Sequence, residues 1–166
     1  MLTWRDIDTL HVEDAFGHWQ AAERLGLDCP LDVFEQLLHE RGVIIPSAAA
    51  SIDWLRVRWS EERLSGAELR GVTVDRFFQR AVDEARSLTI EAGLTDDRPE
   101  VVAAWRQEHT WIVPPVLLRG EVTGAVHRHA LLAGNTRLGN LLGLMDRQEV
   151  GESQRHRVWL GALLPP

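Results

Sequence analysis

The chain of 166 residues contains no lysine and no tyrosine, so all 18 of its basic side chains are arginines. Without lysine there is no P-loop lysine, Schiff base or Ser-Lys dyad, and without tyrosine there is no tyrosine nucleophile. The single cysteine, Cys29, excludes a disulfide within the chain and a multi-cysteine zinc site. These classes of enzyme and metal site are therefore closed to this protein.

Long apolar runs are also missing from the sequence. No run approaches the ~18 residues that a membrane-spanning helix needs. The N-terminal segment MLTWRDIDTL lacks the basic start and apolar stretch of a signal peptide. A single cysteine agrees with a reducing compartment. We therefore expect a cytoplasmic protein that does not associate with a membrane.

The net charge of −7 is unevenly distributed along the chain. From Pro115 onward there are six arginines and four acids, whereas the preceding residues hold 12 arginines and 21 acids. An acidic body does not favour binding to extended DNA, but a basic pocket in the C-terminal third can still hold a small anion. A nucleotide fits this distribution better than DNA does.

The periodicity of apolar residues predicts a single α/β domain of the α+β type over residues 1–166. Residues 1–108 are predicted to be mainly helical, and residues 109–166 to form the core. Helical spacing predicts helices over about 10–25, 31–41, 73–92 and 97–107, and the longest of these places Phe77 and Phe78 in the core. Strands are expected at 52–59, 116–118, near 130 and near 156–164. The expected architecture is a small mixed sheet of about four strands covered by the helical region.

The most informative stretch runs from His127 to Asp146. An alternating strand is broken by Gly134, and a helix follows in which Asn135 is predicted to be the N-cap. The first helical turn carries Thr136 and Arg137 but no acid. A positive side chain beside the positive end of a helix is unfavourable by about 0.3–1 kcal/mol, and a docked anion would compensate both charges.

Two interpretations of this turn stay open at the level of the sequence. In the first, the backbone N–H groups of Gly134 and Asn135, the Thr136 hydroxyl and the Arg137 guanidinium together hold a phosphate or carboxylate. In the second, Gly134 relieves backbone strain in an ordinary turn and Arg137 points to solvent. Gly139 and Gly143 are expected to let the helix pack closely against another element under either interpretation.

The histidines offer a further candidate for chemistry. His109, beside Thr110 and Trp111, is the candidate general base. His127 and His129 share one strand face, a pattern that a histidine metal site can use, but no carboxylate stands at an interpretable spacing among them. The sequence therefore predicts no metal site.

Two stretches of the C-terminal third resemble a known superfamily. The P-P-V-L-L strand (Pro114–Leu118) and the stretch H-A-L-L-A-G-N-T-R-L-G-N-L-L-G-L (His129–Leu144) look like the core of the ParB/sulfiredoxin-like proteins. In that superfamily a strand ends in a Gly-x-x-Arg turn that caps a helix. The resemblance is closest to small bacterial ParB-like proteins with a G-x-T-R-L-G turn.

The resemblance implies nucleotide binding, to ATP or CTP with magnesium, at Gly134, Asn135, Thr136 and Arg137. It also implies NTP hydrolysis, or phosphoryl or nucleotidyl transfer, as candidate reactions. This chain departs from the pattern where sulfiredoxins carry cysteine, because Asn135 stands there. Related small proteins carry an acid before the glycine, where this chain has Ala133. Binding is therefore expected at the turn, and whether the protein is an enzyme stays open.

A function of another class follows from the charge alone. The negative first two thirds of the chain would suit an immunity protein or antitoxin that covers a basic protein partner without catalysis. The sequence thus predicts either a small anionic ligand, such as a nucleotide, or a basic protein as the partner.

Overall fold

The computed structural model describes residues 1–10, 14–39, 52–94, 98–120 and 129–164. The mixed α/β fold expected from the sequence is confirmed. Within the described ranges, none of the helices combines the length and the apolar character needed to cross a bilayer. Residues 121–128, with His127, lie outside the described residues, so nothing follows about a shared face of His127 and His129.

The described helices precede and flank a sheet of four strands. They are α1 (Trp4–Asp8), α2 (Ala15–Glu23), α3 (Leu31–Phe34), α4 (Gly66–Arg70), α5 (Gln79–Ser87), α6 (Ile90–Gly93), α7 (Pro99–Glu108) and α8 (Asn135–Asp146). A π-helical turn (Glu35–His39) continues α3, and a 3₁₀ turn (Trp54–Arg56) precedes the first strand. Ser65 and Glu68 form the capping box that their spacing predicts, and it starts α4.

The sheet contains β1 (Val57–Ser65), β2 (Val116–Leu118), β3 (Ala130–Ala133) and β4 (Arg155–Leu163) in the spatial order β1-β4-β2-β3. β4 pairs antiparallel with β1 and parallel with β2, and β2 pairs antiparallel with β3. The sheet is thus mixed. β1 comes from the mainly helical first part of the chain, so the sheet joins both parts.

Helices cover both faces of the sheet. On one face the N-terminal helices pack against Val116, Leu118 and Leu132, and on the other α5, α7 and α8 pack against Leu117 and Leu131. All four residues of β3 are consequently buried, which agrees with their continuously apolar sequence, Ala-Leu-Leu-Ala.

The two glycines in the middle of α8 bring that helix against α5. A Cβ atom added at Gly139 would lie 2.6 Å from the Cβ of Ala85, and one added at Gly143 would lie 2.5 Å from the carbonyl oxygen of Arg86. No side chain fits at these separations. The prediction that Gly139 and Gly143 allow close packing is therefore confirmed, and α8 packs closely against α5.

Two predicted elements are wrong in their placement. The strand expected at 52–59 runs instead over Val57–Ser65. A 3₁₀ turn precedes it, because the side chain of Asp53 accepts a hydrogen bond from the Leu55 N–H and caps that turn. The helix expected from Thr73 begins only at Gln79. The backbone of Thr73 instead forms a β-bridge with Ala130 in β3. The periodicity of apolar residues in the helix does not predict this long-range pairing.

The assignment of Phe77 to the core is also wrong, since 69% of its surface is exposed. Phe77 lies in the non-helical segment before α5, where the helical stripe that would have buried it does not exist. Phe78, half-buried, contacts Phe77 edge-to-face with ring centroids 5.2 Å apart.

Candidate functional site

Gly134 turns the chain from β3 into α8. Its φ of 99° lies in the left-handed region, and it is the N-cap residue of α8. A Cβ atom at this position would lie 2.7 Å from the Cβ of Pro115, so glycine is required both by conformation and by space. The prediction of Asn135 as N-cap is wrong by one residue, because the left-handed glycine occupies that position and Asn135 begins the helix.

Arg137 folds back across the start of α8. Its Nη1 donates to the carbonyl oxygens of Val113 at 2.6 Å and Pro114 at 3.3 Å, and its Nη2 donates to the side-chain oxygen of Gln36 at 2.6 Å. The guanidinium is half-buried. The exposed arginine of the second interpretation is therefore not found, and Arg137 ties the turn to the loop before β2 and to the N-terminal region.

Gln36 completes this arrangement from the other side. It is 9% exposed, and its Nε2 donates to the carbonyl oxygens of Asp32 at 3.1 Å and Pro114 at 3.2 Å. Gln36 thus holds Arg137 through its oxygen and Pro114 through its nitrogen. The sequence carries no signal for this role, because Gln36 and Arg137 are far apart in the chain.

A cleft of about 430 Å³ opens beside this arrangement at the N-terminal end of α8. Two of its lining side chains are arginines, and among the described residues none is acidic. The lining comes from the first half of α8, from α7, from the loop before β2 and from Gln36, and its members are Gln36, Leu94, Arg98, Val101, Trp105, Trp111, Ile112, Val113, Thr136, Arg137 and Asn140. In a chain of net charge −7, this cleft is locally basic.

The mouth and the wall of the cleft differ in polarity. Thr136 is exposed, and the N–H groups of the first turn of α8 have no partner within the helix, which is the geometry that binds anions at helix starts. Trp105 and Trp111 are buried, with ring centroids 6.0 Å apart and planes inclined at 75°. The cleft therefore combines hydrogen-bond donors at its mouth with an apolar aromatic wall.

Asn140 is the polar residue of the interior. It is 2% exposed, and within the described part of the chain neither its Oδ1 nor its Nδ2 has a hydrogen-bond partner. It stands four residues after Thr136, so both occupy the same face of α8. Sequence reasoning missed it, although an Asn between the apolar positions Leu138, Leu141 and Leu142 was a usable signal.

The candidate base His109 does not line this cleft. His109 ends α7 in a left-handed conformation with φ of 52°, and it lines a separate cavity of about 250 Å³ together with Arg106, Arg147 and Glu149. Trp105 is the residue that the two cavities share. The structure thus does not place His109 beside the Gly134–Arg137 turn.

His156 and Cys29 are buried without forming a reactive centre. The Nδ1 of His156 lies 3.1 Å from the Thr110 hydroxyl, and burial lowers the pKa of the ring from 6.5 to about 4. Burial raises the pKa of the Cys29 thiol, which keeps it protonated. Among the residues that the structure describes, no three side chains of the metal-binding types lie close enough to hold an ion.

The comparisons with known proteins add no identity to this geometry. Neither models of protein families, nor characterised proteins, nor solved structures match the chain. The ParB/sulfiredoxin-like resemblance therefore stays a prediction that rests on the residues of the turn.

Proposed function

We propose that the cleft at the start of α8 binds a small phosphate-bearing ligand, in the first place a nucleotide. The observation that carries this proposal is the buried amide of Asn140, which lacks a partner among the described residues and lies in the wall of the same cleft whose mouth is a helix N-terminus. Unsatisfied polar groups in a protein interior call for an explanation, and a ligand that supplies the missing partners is one.

The charge of the cleft supports an anion as part of the ligand. Arg98 and Arg137 line it without an acid among the described lining residues, and the helix start adds partial positive charge. Arg98 lies 3.5 Å from Glu100 through its Nε, with both side chains largely exposed, so this pair remains open to exchange with a ligand.

Arg137 has a positioning role in this proposal. Its donors already hold Val113, Pro114 and Gln36, and these contacts set the shape of the cleft. The phosphate would be bound by the first-turn N–H groups and the Thr136 hydroxyl, with Arg98 and Arg137 supplying the surrounding positive potential.

The proposal concerns binding rather than turnover. The polar side-chain groups of Gln36, Arg98, Thr136, Arg137 and Asn140 in the cleft lining are a hydroxyl, two guanidinium groups and two amides. His109 lines a different cavity. Hydrolysis or group transfer would need a general base from elsewhere. The resemblance to ParB/sulfiredoxin-like proteins puts ATP and CTP first among the ligands to test.

The test is a titration of the protein with ATP, CTP and GTP, with and without magnesium, by calorimetry and thermal unfolding. A ligand at about 100 times its Kd stabilises the folded state by about 2.7 kcal/mol. For a chain of this size we therefore expect the melting temperature to rise by about 5–10 °C. No response to any nucleotide would overturn the proposal, and the acidic protein-interaction module would then be tested by co-purification of a basic partner.

Matched variants separate the cleft from general charge effects. Arg98→Ala should lower the affinity by about 2–5-fold, because an exposed charge near the anion is partly screened. Arg76→Ala removes the same charge at an exposed position outside the cleft lining and should leave the affinity unchanged. Equal effects of both variants would contradict binding in the cleft.

A further inference from the structure

Asn140 presents an amide at the inner end of the cleft. Both of its polar atoms are buried, and no hydrogen bond to either is made by the described residues. A Cβ atom added at Gly93, in α6, would lie 3.6 Å from the Asn140 Oδ1, so the backbone of α6 lies directly beside the amide. Leu94 follows it and lines the same cleft. Asn140 lines this cleft as well, so its amide lies in the cleft wall beside α6.

The chemistry of an amide defines what it recognises. A primary amide places an acceptor oxygen and a donor nitrogen side by side in one plane. Its complement is a flat group with an adjacent donor and acceptor, as on the edge of a nucleobase. A phosphate or a sugar alone does not provide such an edge.

The wall of the cleft suits a flat apolar ring. Trp105 and Trp111 lie there at an inclination of 75°, flanked by Val101 and Ile112. Both tryptophans are buried, so a base would pack against the more exposed side chains of Val101 and Ile112 and not on the indole faces. The hydrogen bonds of Asn140 would then select for the base edge, and these apolar side chains would contact its face.

The spacing along α8 places the two ends of such a ligand. Thr136 at the mouth and Asn140 inside lie four residues apart on one helix face, a rise of about 6 Å at about 1.5 Å per residue. The pentose of a nucleoside phosphate can bridge this separation between its phosphate and its base. The first-turn N–H groups then face the phosphate while the amide faces the base.

We infer that Asn140 is a specificity-determining residue that binds the base edge of a nucleoside phosphate. The cleft then binds a nucleotide and not a simple phosphate or polyphosphate. The inference rests on the proposed function, because it requires the anion end of the ligand to sit at the start of α8.

The test compares ligands that share the triphosphate and differ in the nucleoside. ATP, CTP, GTP, UTP and inorganic tripolyphosphate are each titrated into the parent protein and into Asn140→Leu, which keeps the branching and the number of heavy atoms of the side chain without its polar atoms. Asn140→Ala serves as a second variant. Thr136→Val is the matched variant at the anion end, and it should weaken nucleotides and tripolyphosphate by the same factor.

We expect at least one nucleotide to bind about 10-fold or more tightly than tripolyphosphate, the discrimination that one bidentate pair provides. Asn140→Leu and Asn140→Ala should reduce this difference by about 10-fold, remove the selectivity among the four nucleotides and leave the affinity for tripolyphosphate unchanged.

Two contrary results have different meanings. Nucleotides that bind no tighter than tripolyphosphate, or a difference and a selectivity among nucleotides that both Asn140 variants leave unchanged, would overturn the inference and leave an anion site in place. Failure of the nucleotides and of tripolyphosphate alike would overturn the proposed function and this inference with it.

Discussion

The guanidinium of Arg137 donates to the side-chain oxygen of Gln36 at 2.6 Å, across 101 residues of sequence. The same guanidinium holds the carbonyl oxygens of Val113 and Pro114. Three separate parts of the chain thus meet at the first turn of α8. Arg137, which the sequence predicts to bind an anion, therefore joins three parts of the chain that line the cleft.

Gln36 and Arg137 should be energetically coupled. Removing Arg137 with Arg137→Ala leaves the Gln36 oxygen and two carbonyls without a charged donor, so we expect the free energy of unfolding to fall by about 2–4 kcal/mol. In a double-mutant cycle with Gln36→Ala, measured by urea denaturation, the coupling should be about 1–2 kcal/mol. Gln20→Ala, exposed on α2, should add to Arg137→Ala without coupling. Additive effects for Gln36 would show that the contact contributes nothing to stability.

Gly134 should not tolerate a side chain. Gly134→Ala puts a Cβ on a residue with φ of 99° and within 2.7 Å of the Pro115 Cβ. We expect a loss of about 2–4 kcal/mol in the free energy of unfolding, from left-handed strain and the steric overlap together. Gly151→Ala is the control, because its Cβ would meet nothing nearer than the Ser153 Oγ at 3.9 Å. Similar melting temperatures for the two variants would refute the steric argument.

Asn140→Leu should stabilise the ligand-free protein. An unpaired buried polar group costs about 1–3 kcal/mol, so replacing the amide with an apolar side chain of similar shape should raise the free energy of unfolding by about 1 kcal/mol. Thr136→Val, made at the exposed mouth, should change it by less than about 0.5 kcal/mol. Chemical denaturation without ligand measures both. A clear loss of stability in Asn140→Leu would mean that the fold itself satisfies the amide.

His156 should make the protein less stable in mild acid. Burial lowers the pKa of its ring from 6.5 to about 4, so below the unfolded value the unfolded chain binds more protons than the folded one. The free energy of unfolding should therefore fall by about 1–2 kcal/mol between about pH 7 and about pH 5. The contribution is complete above the unfolded pKa and is lost as the pH falls towards the folded value.

The substitution His156→Gln removes the titrating ring and should flatten this dependence, as followed by urea denaturation at a series of pH values. His109→Gln should leave the dependence in place, because His156 is still present. An unchanged slope in His156→Gln would assign the acid sensitivity between about pH 7 and about pH 5 to groups other than His156.

Local signals in the sequence were sufficient for much of the fold. The break at Gly134, the capping box of Ser65 and Glu68 and the short strand Val116–Leu118 depend on neighbouring residues, and the structure confirms all three. Prediction failed where a distant partner intervened. The bridge from Thr73 to Ala130 removed the first turns of a predicted helix and left Phe77 exposed.

The amino-acid sequence alone thus determines a mixed α/β domain, an acidic body with a more basic C-terminal third, and a glycine turn that opens a helix with an arginine in its first turn. The contact between Gln36 and Arg137 depends on the tertiary structure, because a hydrogen bond across 101 residues leaves no periodic trace. The same holds for Asn140, whose amide has no partner among the described residues because the packing of α8 buries it beside α6. Periodicity locates a polar residue on a helix, and only packing decides whether its hydrogen bonds are satisfied.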